Sequence, residues 1–215
     1  MMVQAAEKTA REHLDANEKR WDSWARTYDN KRFDFFRRFQ KKAVLMTQLK
    51  EGQRFLDIGC GTGWAVRYAA GTIRGNGEFY GIDMSSKMIE KARENSRCLK
   101  NIRFQKALVE ELPFESDFID NAICTNSFHH YLDPVKALIE IRRVLKPGGR
   151  IYILDATADN MVIKLADRCM RARQPEHVKL YSTPEFRELF SKAGLKYVKT
   201  TSVWPLKTHT GEKAL

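Results

Sequence analysis

The stretch FLDIGCGTG, residues 55–63, carries the residue pattern with the clearest chemical use. A short apolar run, typical of a buried strand, leads to Asp57, and Gly59, Gly61 and Gly63 follow at alternate positions. Glycine has no Cβ, so a ligand can lie against the backbone of such a turn, and ligands of open α/β sheets bind at the carboxyl ends of strands. We therefore predict a ligand site at this turn, with the carboxylate of Asp57 at its edge.

The spacing of the glycines argues against two common phosphate-binding turns. A dinucleotide fingerprint would read G-x-G-x-x-G, and a phosphate loop would carry G-K-[ST]. Here an acid precedes the glycines, which suits a ligand with an ammonium group and no phosphate. A second acid, Asp83, ends the next predicted strand, where a carboxylate can accept hydrogen bonds from ribose hydroxyls. Together the two acids indicate a nucleoside with an amino-acid arm, which is the chemistry of S-adenosylmethionine.

The elements around these acids predict how they are brought together. Strand-like runs alternate with helix-like segments, and such β-α-β repetition predicts a parallel sheet with helices on both faces. The predicted strands span residues 54–59, 78–83, 102–107, 118–126, 150–155 and 195–203, and the tail adds a possible last strand. The predicted helices span residues 4–26, 33–50, 85–99, 133–146 and 182–194, with a further helical segment around 161–173.

Taken together, these motifs resemble the class I S-adenosylmethionine-dependent methyltransferases, in particular the branch that includes the ubiquinone/menaquinone C-methyltransferases. FLDIGCGTG matches the first family motif and GIDMS the second. Residues 109–155 match the third and fourth strands, a His-bearing loop and the LKPGG turn, and WDSWARTYD, residues 21–29, is similar to the N-terminal lid. The resemblance implies a Rossmann-like α/β fold, with a mostly parallel seven-stranded sheet, helices on both faces and an antiparallel last strand.

The resemblance also implies a division of the chain. Residues 1–50 would form an N-terminal helical lid, and residues 51–215 would form the methyltransferase domain. Residues 156–181 would be a helical insertion on the substrate side of that domain.

The family pattern assigns roles around the methionine and ribose parts of the cofactor. Asp57 would orient the methionine end, directly or through water, and Asp83 would hold the ribose. The backbone of Gly59, Cys60 and Gly61 would line both groups.

Further contacts are implied at the adenine and along the methionine arm. Met84 would pack on the adenine. The family often has an Asp that contacts the adenine amino group at the position of Leu108, so here we expect apolar contact with Leu108 and backbone contact near Val109. The other implied contacts lie beside or above the methionine arm, and they are Asn126, Ser127 and Phe128 at the end of the fourth strand and Tyr28 from the lid.

Methyl transfer from a sulfonium needs little chemistry from the protein, because the methyl group arrives activated and positioning supplies most of the catalysis. A general base is required only when the acceptor arrives protonated. The candidates are His130, His129 and Asp155, since both histidines follow the fourth strand and Asp155 ends the fifth. We expect no metal, because two adjacent histidines without a carboxylate cluster do not make a metal site.

Composition limits the remaining possibilities. A chain of 215 residues with 43% hydrophobic residues suits one domain with a real core. The net charge of +11 indicates an acidic partner or substrate, and the excess lies in residues 1–54 and 156–215. The four scattered cysteines and the absence of a signal-like apolar run lead us to expect a cytoplasmic protein with reduced thiols.

Residues 30–43, NKRFDFFRRFQKKA, mix basic and aromatic side chains and leave three alternatives open. They are typical of a nucleic-acid surface, of a membrane-surface helix, or of an ordinary helix with an apolar inner face. We expect the aromatic face to pack inward and partly to line the substrate entrance. The [NDS]-P-P-[YF] motif of exocyclic base methylation is missing, since residues 125–128 read TNSF.

The sequence thus predicts an S-adenosylmethionine-dependent methyltransferase that forms S-adenosylhomocysteine and acts on a small, possibly anionic or lipophilic, molecule. An RNA methyltransferase that uses the basic flanks, or a cofactor-binding module without catalysis, are the alternatives. Peripheral contact with a membrane stays open, as do the accepting atom and the oligomeric state.

Overall fold

The computed structural model describes residues 2–29, 34–73, 76–174 and 176–215, and it describes side chains for all of these except residues 2–10 and 34. Expectations that involve residues 30–33, among them Phe33 of the aromatic stripe, lie outside the described residues.

One seven-stranded sheet organises the chain. Its strands are β1 (Arg54–Ile58), β2 (Glu78–Asp83), β3 (Ile102–Lys106), β4 (Ile119–Thr125), β5 (Leu145–Asp155), β6 (Lys196–Val203) and β7 (Leu206–Glu212). The strand order is β3-β2-β1-β4-β5-β7-β6. The first five strands pair in parallel, and β7 runs antiparallel to both β5 and β6. This confirms the predicted fold class, including the antiparallel last strand.

Seven helices surround the sheet in the described part of the chain. They are α1 (Met2–Trp24), α2 (Asp34–Met46), α3 (Trp64–Thr72), α4 (Ser86–Asn95), α5 (Pro134–Val144), α6 (Met161–Arg173) and α7 (Thr183–Lys192). Side chains of α2, α3 and α4 pack on one face of the sheet, and side chains of α5 and α7 pack on the other. None of the helices described is both long and apolar enough to cross a membrane.

Strand β1 shows how the sequence sets this layering. Phe55 belongs to the core on one face, and its neighbour Leu56 belongs to the core on the opposite face, both with no exposed surface. Successive side chains of a strand point to opposite faces, so a strand covered on both sides must be apolar throughout. Asp57 is the polar exception among the four buried residues of this strand, and a buried acid at a strand end indicates a functional position.

Helix α2 departs from the predicted span and stripe. Phe39 is buried against the sheet as expected, but Phe35 is 53% exposed and Leu45 is 52% exposed. The helix ends at Met46, four residues before the predicted end, and Gln48 adopts a φ of 49° that no helix accommodates. The inward aromatic face is therefore narrower than the sequence predicted.

Strand β5 is longer than predicted because it takes up the LKPGG stretch, which the sequence analysis treated as a turn before residue 150. The assigned strand begins at Leu145, and its register against β4 shifts between Ile119 and Asn121. Gly148 has a φ of 75°, and a Cβ at Gly149 would lie 2.8 Å from the Lys146 carbonyl oxygen. The glycines therefore allow an irregular strand where a bulkier residue would end it.

Two glycines near α3 form a matched pair for testing this packing. Gly63 has a φ of 78°, and an added Cβ would lie 2.5 Å from Phe104 Cζ, whereas an added Cβ at Gly71 meets nothing within 4 Å. We expect Gly63→Ala to lower the free energy of unfolding by about 2 kcal/mol or more, from strain and overpacking. Gly71→Ala should instead raise it by up to about 1 kcal/mol through helix propensity. Urea unfolding of both variants measures the difference, and equal effects would contradict the packing described.

Candidate active site

The turn between β1 and α3 folds back against the next strand. The N–H groups of Gly59 and Cys60 both donate to the Ile82 carbonyl oxygen at 2.9 Å. Gly59 and Gly61 have φ values of 73° and 51°, which L-residues with a side chain rarely adopt. A Cβ at Gly59 would also clash with Ser127 Oγ, so glycine is required there on two grounds.

Asp83 lies at the carboxyl end of β2 and faces this turn. Its two carboxylate oxygens accept hydrogen bonds from the N–H groups of Gly61 and Ser85, each at 2.9 Å. Burial raises the pKa of Asp83 to about 6, although these two N–H donors act in the opposite direction. Each oxygen keeps a further lone pair that a hydroxyl of a ligand can use.

Asp57 is buried completely, and neither of its carboxylate oxygens has a hydrogen-bond partner within the described part of the protein. Burial, and then the nearby charge of Asp83, raise the pKa of Asp57 to about 8. A buried carboxyl group without a partner is costly, and such groups are concentrated at sites that meet a charged ligand.

Tyr28 closes the site from the segment that follows α1. Its ring lies 3.4 Å from the position that a Cβ of Gly61 would take. Burial, followed by the negative charges of Asp83, Asp57 and Asp29, raises the pKa of Tyr28 to about 12, so the phenol stays protonated.

A cleft with about 790 Å³ of empty space, part of it open to solvent, runs from this turn to α1. Ten of the residues predicted from the sequence line it, namely Tyr28, Gly59, Gly61, Asp83, Met84, Leu108, Val109, Asn126, Ser127 and His130. Five others do not line it, namely Asp57, Cys60, Phe128, His129 and Asp155. The structure therefore brings most of the predicted cofactor residues together along one cleft.

Two of the residues that do not line the cleft, Phe128 and Cys60, have side chains buried in the protein interior. Phe128 is fully buried and packs against Tyr131, Tyr181 and Phe186. Cys60 is buried, and burial holds the pKa of its thiol well above the ordinary value, so it is not a nucleophile. A cofactor role for either residue would have to use its backbone.

The two candidate histidines have different partners. His129 Nδ1 lies 2.8 Å from Asp155 Oδ1 and 2.9 Å from Oδ2, and the His129 N–H donates to Oδ2 at 3.1 Å. Burial lowers the pKa of His129, but the charge and hydrogen bond of Asp155 outweigh it, so the net shift is upward. The pKa of Asp155 is lowered despite burial, because His129 stabilises its charge.

His130 is the histidine that reaches the cleft. Its Nδ1 lies 2.7 Å from the Glu176 carbonyl oxygen, so Nδ1 carries the hydrogen and donates. Burial, and then the neighbouring His129, lower the pKa of His130 to about 3. His130 is therefore neutral at physiological pH, and its Nε2 can accept a hydrogen bond from another group.

Helix α1 supplies a wall of the cleft that the sequence analysis did not assign residue by residue. Leu14, Asn17 and Trp21 line the cleft, and the ring of Trp21 packs edge-on to His130 at 5.2 Å between centroids. Their i, i+3, i+7 spacing places them on one helical face, and this spacing was the signal that could have identified them.

Acidic side chains hold α1 and the segment after it against the rest of the site. Asp22 accepts from Ser85 Oγ at 2.6 Å and from the Lys87 N–H at 3.1 Å. Asp29 accepts from Thr62 Oγ1 at 2.7 Å and from Asn95 Nδ2 at 2.9 Å. These contacts join α1 to the helix that follows Asp83 and to the glycine turn.

Comparison with known proteins identifies the family. The model of a methyltransferase domain matches residues 49–197, so the chain belongs to that methyltransferase family. The uncharacterized methyltransferase YcgJ of Bacillus subtilis is 34% identical over 158 residues, which are 72% of this chain and 61% of the relative. The ubiquinone/menaquinone biosynthesis C-methyltransferase UbiE of Francisella philomiragia is 31% identical over 126 residues, which are 57% of this chain and 50% of the relative. The chain thus spans between half and two thirds of the length of these two relatives.

Solved structures show the same fold. A SAM-dependent methyltransferase from Aquifex aeolicus aligns with a TM-score of 0.67 and 25% identity, over 81% of this chain and 89% of that one. A chain from the complex between the Haloferax volcanii Trm112 methyltransferase activator and a methyltransferase aligns with a TM-score of 0.79 and 24% identity, over 91% and 98% of the two chains. These findings confirm the resemblance to SAM-dependent methyltransferases.

The raised pKa of Asp57 leads to a stability test. Between an unfolded pKa of 3.8 and a folded pKa of about 8, the folded protein holds a proton that the unfolded chain has lost, so this group lowers stability as pH rises through that window. We expect Asp57→Asn to remove this loss and raise the Tm at pH 7 by roughly 2–4 °C, equivalent to about 1 kcal/mol. The gain should shrink towards pH 4.

Thermal unfolding across this pH range, in the absence of cofactor, measures the effect. Glu115→Gln removes an exposed acid and serves as the charge-matched control. If Asp57→Asn lowered the Tm equally at all pH values, the result would contradict a raised pKa of the buried Asp57.

Proposed function

We propose that this protein transfers the methyl group of S-adenosylmethionine to a small-molecule acceptor that enters the cleft between α1 and the carboxyl edge of the sheet. The observation that carries the proposal is the pair of acids at the ends of β1 and β2 beside a glycine turn, the buried Asp57 and the half-buried Asp83. A cationic ligand with hydroxyl groups satisfies both acids, and the family membership supports this cofactor.

The residues of the cleft fit the cofactor part by part. Asp57 has two orphaned oxygens under the turn, which favour a positive charge nearby. Asp83 has lone pairs left for ribose hydroxyls, and the turn offers backbone without a Cβ at Gly59 and Gly61. Met84, Leu108 and Val109 give an apolar surface for the adenine.

Bound S-adenosylmethionine supplies a methyl group that is already activated on a sulfonium. The protein's own contribution is to align the acceptor and exclude water. Tyr28 covers the turn, and Trp21 and Leu14 cover the acceptor end of the cleft. Because α1 forms one wall, the cleft suits a small acceptor better than a nucleic-acid strand.

His130 is the group placed to act on the acceptor. It lines the cleft, it is neutral, and its Nε2 can accept a hydrogen bond and so orient a hydroxyl or amine of the acceptor. His129 lies behind it with ring centroids 3.9 Å apart, and Asp155 holds His129 in place. We assign His130 the contact with the acceptor, and His129 and Asp155 the task of positioning it.

Cofactor binding tests the first part of the proposal. We expect Asp83→Asn and Asp57→Asn each to weaken binding of S-adenosylmethionine by about tenfold or more, because each removes a charge-assisted contact worth about 1.5–3 kcal/mol. Isothermal titration of the folded variants measures this, with Glu115→Gln as the control that should bind like wild type. Wild-type affinity in both aspartate variants would contradict the cofactor site.

Turnover is tested with methyl-labelled S-adenosylmethionine and a source-cell extract, followed by separation of small molecules, lipid, RNA and protein. Label in the small-molecule or lipid fraction that is lost in Asp83→Asn supports the proposal. Label in RNA favours an RNA methyltransferase, and cofactor binding with no label in any fraction favours a non-catalytic module, so either result overturns the proposal.

Once the acceptor is identified, the kinetics of His130→Ala distinguish an effect on catalysis from an effect on cofactor binding. We expect kcat to fall by about tenfold, the order expected for loss of one hydrogen bond that positions the acceptor, with cofactor affinity within a factor of about two of wild type. A wild-type kcat in His130→Ala would remove His130 from the mechanism.

A further inference from the structure

Helix α6 presents an apolar face to solvent. Met161 and Val162 are each 76% exposed, and Leu165, one turn further, is 65% exposed. Cys169 and Ala172 continue the same exposed face at one-turn intervals. The acid of this helix, Asp167, is 4% exposed and points inward, so α6 has the reverse of the usual amphipathic pattern.

A fourth exposed apolar side chain, Trp204, lies at the same edge of the molecule. It is 86% exposed in the turn between β6 and β7. Lys207, three residues further, pairs with Asp159 at 2.5 Å, and Asp159 is two residues before Met161. Apart from the C-terminal Leu215, these four are the most exposed large hydrophobic side chains among the residues described.

Basic residues flank the apolar face of α6. Lys164, Arg168 and Arg171 follow one another at i, i+4 and i+7, and all three are exposed. Asp167 pairs with Arg171 at 3.1 Å and with His177 at 2.7 Å, so it compensates one member of the row and leaves the charges of Lys164 and Arg168. The surface therefore combines protruding apolar side chains with uncompensated positive charge.

We propose that α6 and the β6–β7 turn dock on the surface of an anionic lipid bilayer. An interfacial helix has this composition, with large apolar side chains that enter the acyl boundary and basic side chains that meet anionic headgroups. A second copy of the chain fits less well, because a two-fold contact through α6 would set one basic row against the same row of its partner. This docking proposal does not depend on the proposed methyl-transfer function.

The surface adjoins the cleft through the histidines. Asp167 on the inward side of α6 holds His177, whose ring lies 5.2 Å from that of His129. Docking through α6 therefore brings the membrane to the side of the protein on which His129 and His130 lie.

Co-sedimentation of the full chain with vesicles tests the proposal. We expect binding to mixed phosphatidylglycerol and phosphatidylcholine vesicles, much weaker binding to phosphatidylcholine alone, and a loss of binding with added salt. The double variant Leu165→Ser with Trp204→Ser should bind about tenfold more weakly. Lys164→Gln with Arg168→Gln should bind anionic vesicles roughly 30-fold more weakly, since both basic residues near the surface attract anionic headgroups.

Ile139→Ser is the matched control, because Ile139 is a 48% exposed hydrophobic residue on α5. Circular dichroism and titration with S-adenosylmethionine establish that each variant is folded, whatever the outcome of the activity assays. Absence of vesicle binding by the wild type, or equal binding by all variants, would overturn the proposal. A dimer that the Leu165→Ser, Trp204→Ser variant dissolves, without vesicle binding, would overturn it in favour of self-association.

Discussion

Two carboxyl groups at the ends of neighbouring parallel strands, one buried and one half-buried, are the constraint on which the site depends. Asp57 and Asp83 lie close enough for the charge of Asp83 to raise the pKa of Asp57, and Asp57 has no hydrogen-bond partner for either oxygen. Two negative charges in one apolar setting are unfavourable until a cation or a proton joins them. The core around β1 and β2 keeps this unfavourable pair in place, and a positively charged ligand would relieve it.

The surrounding elements make such a ligand accessible and then enclose it. The glycine turn lets backbone approach closely, and Tyr28 and α1 cover the opening while their own acids bind the N-terminus of α4 and the glycine turn. At the other end of the cleft, His130 is kept neutral by burial and oriented by the Glu176 carbonyl group. One end of the cleft thus favours a cation, and the other offers a neutral hydrogen-bond acceptor.

The sequence predicted the sheet, the position of the acids and the family, because strand periodicity, helix caps and the glycine spacing are local signals. The start of α7, which Ser182 and Glu185 cap, and the end of β2 at Asp83 were placed correctly for this reason. The sequence could not predict which individual side chains are buried, because their burial depends on packing between distant segments. The side chain of Phe128, a residue expected beside the methionine arm, lies in the core, and Phe35 of the aromatic face is half exposed. The exposed face of α6 could be recognised only once the inward position of Asp167 was known.

The most direct test of the account measures protons released when S-adenosylmethionine binds. Titrations near pH 7 in two buffers of different ionisation enthalpy give this number. A cation that binds beside Asp57, with its pKa of about 8 in the free protein, must displace a proton, so we expect net release that is strongly reduced in Asp57→Asn. Binding without proton release, or with the same release in Asp57→Asn, would contradict the claim that the buried acid exists to meet a positive charge.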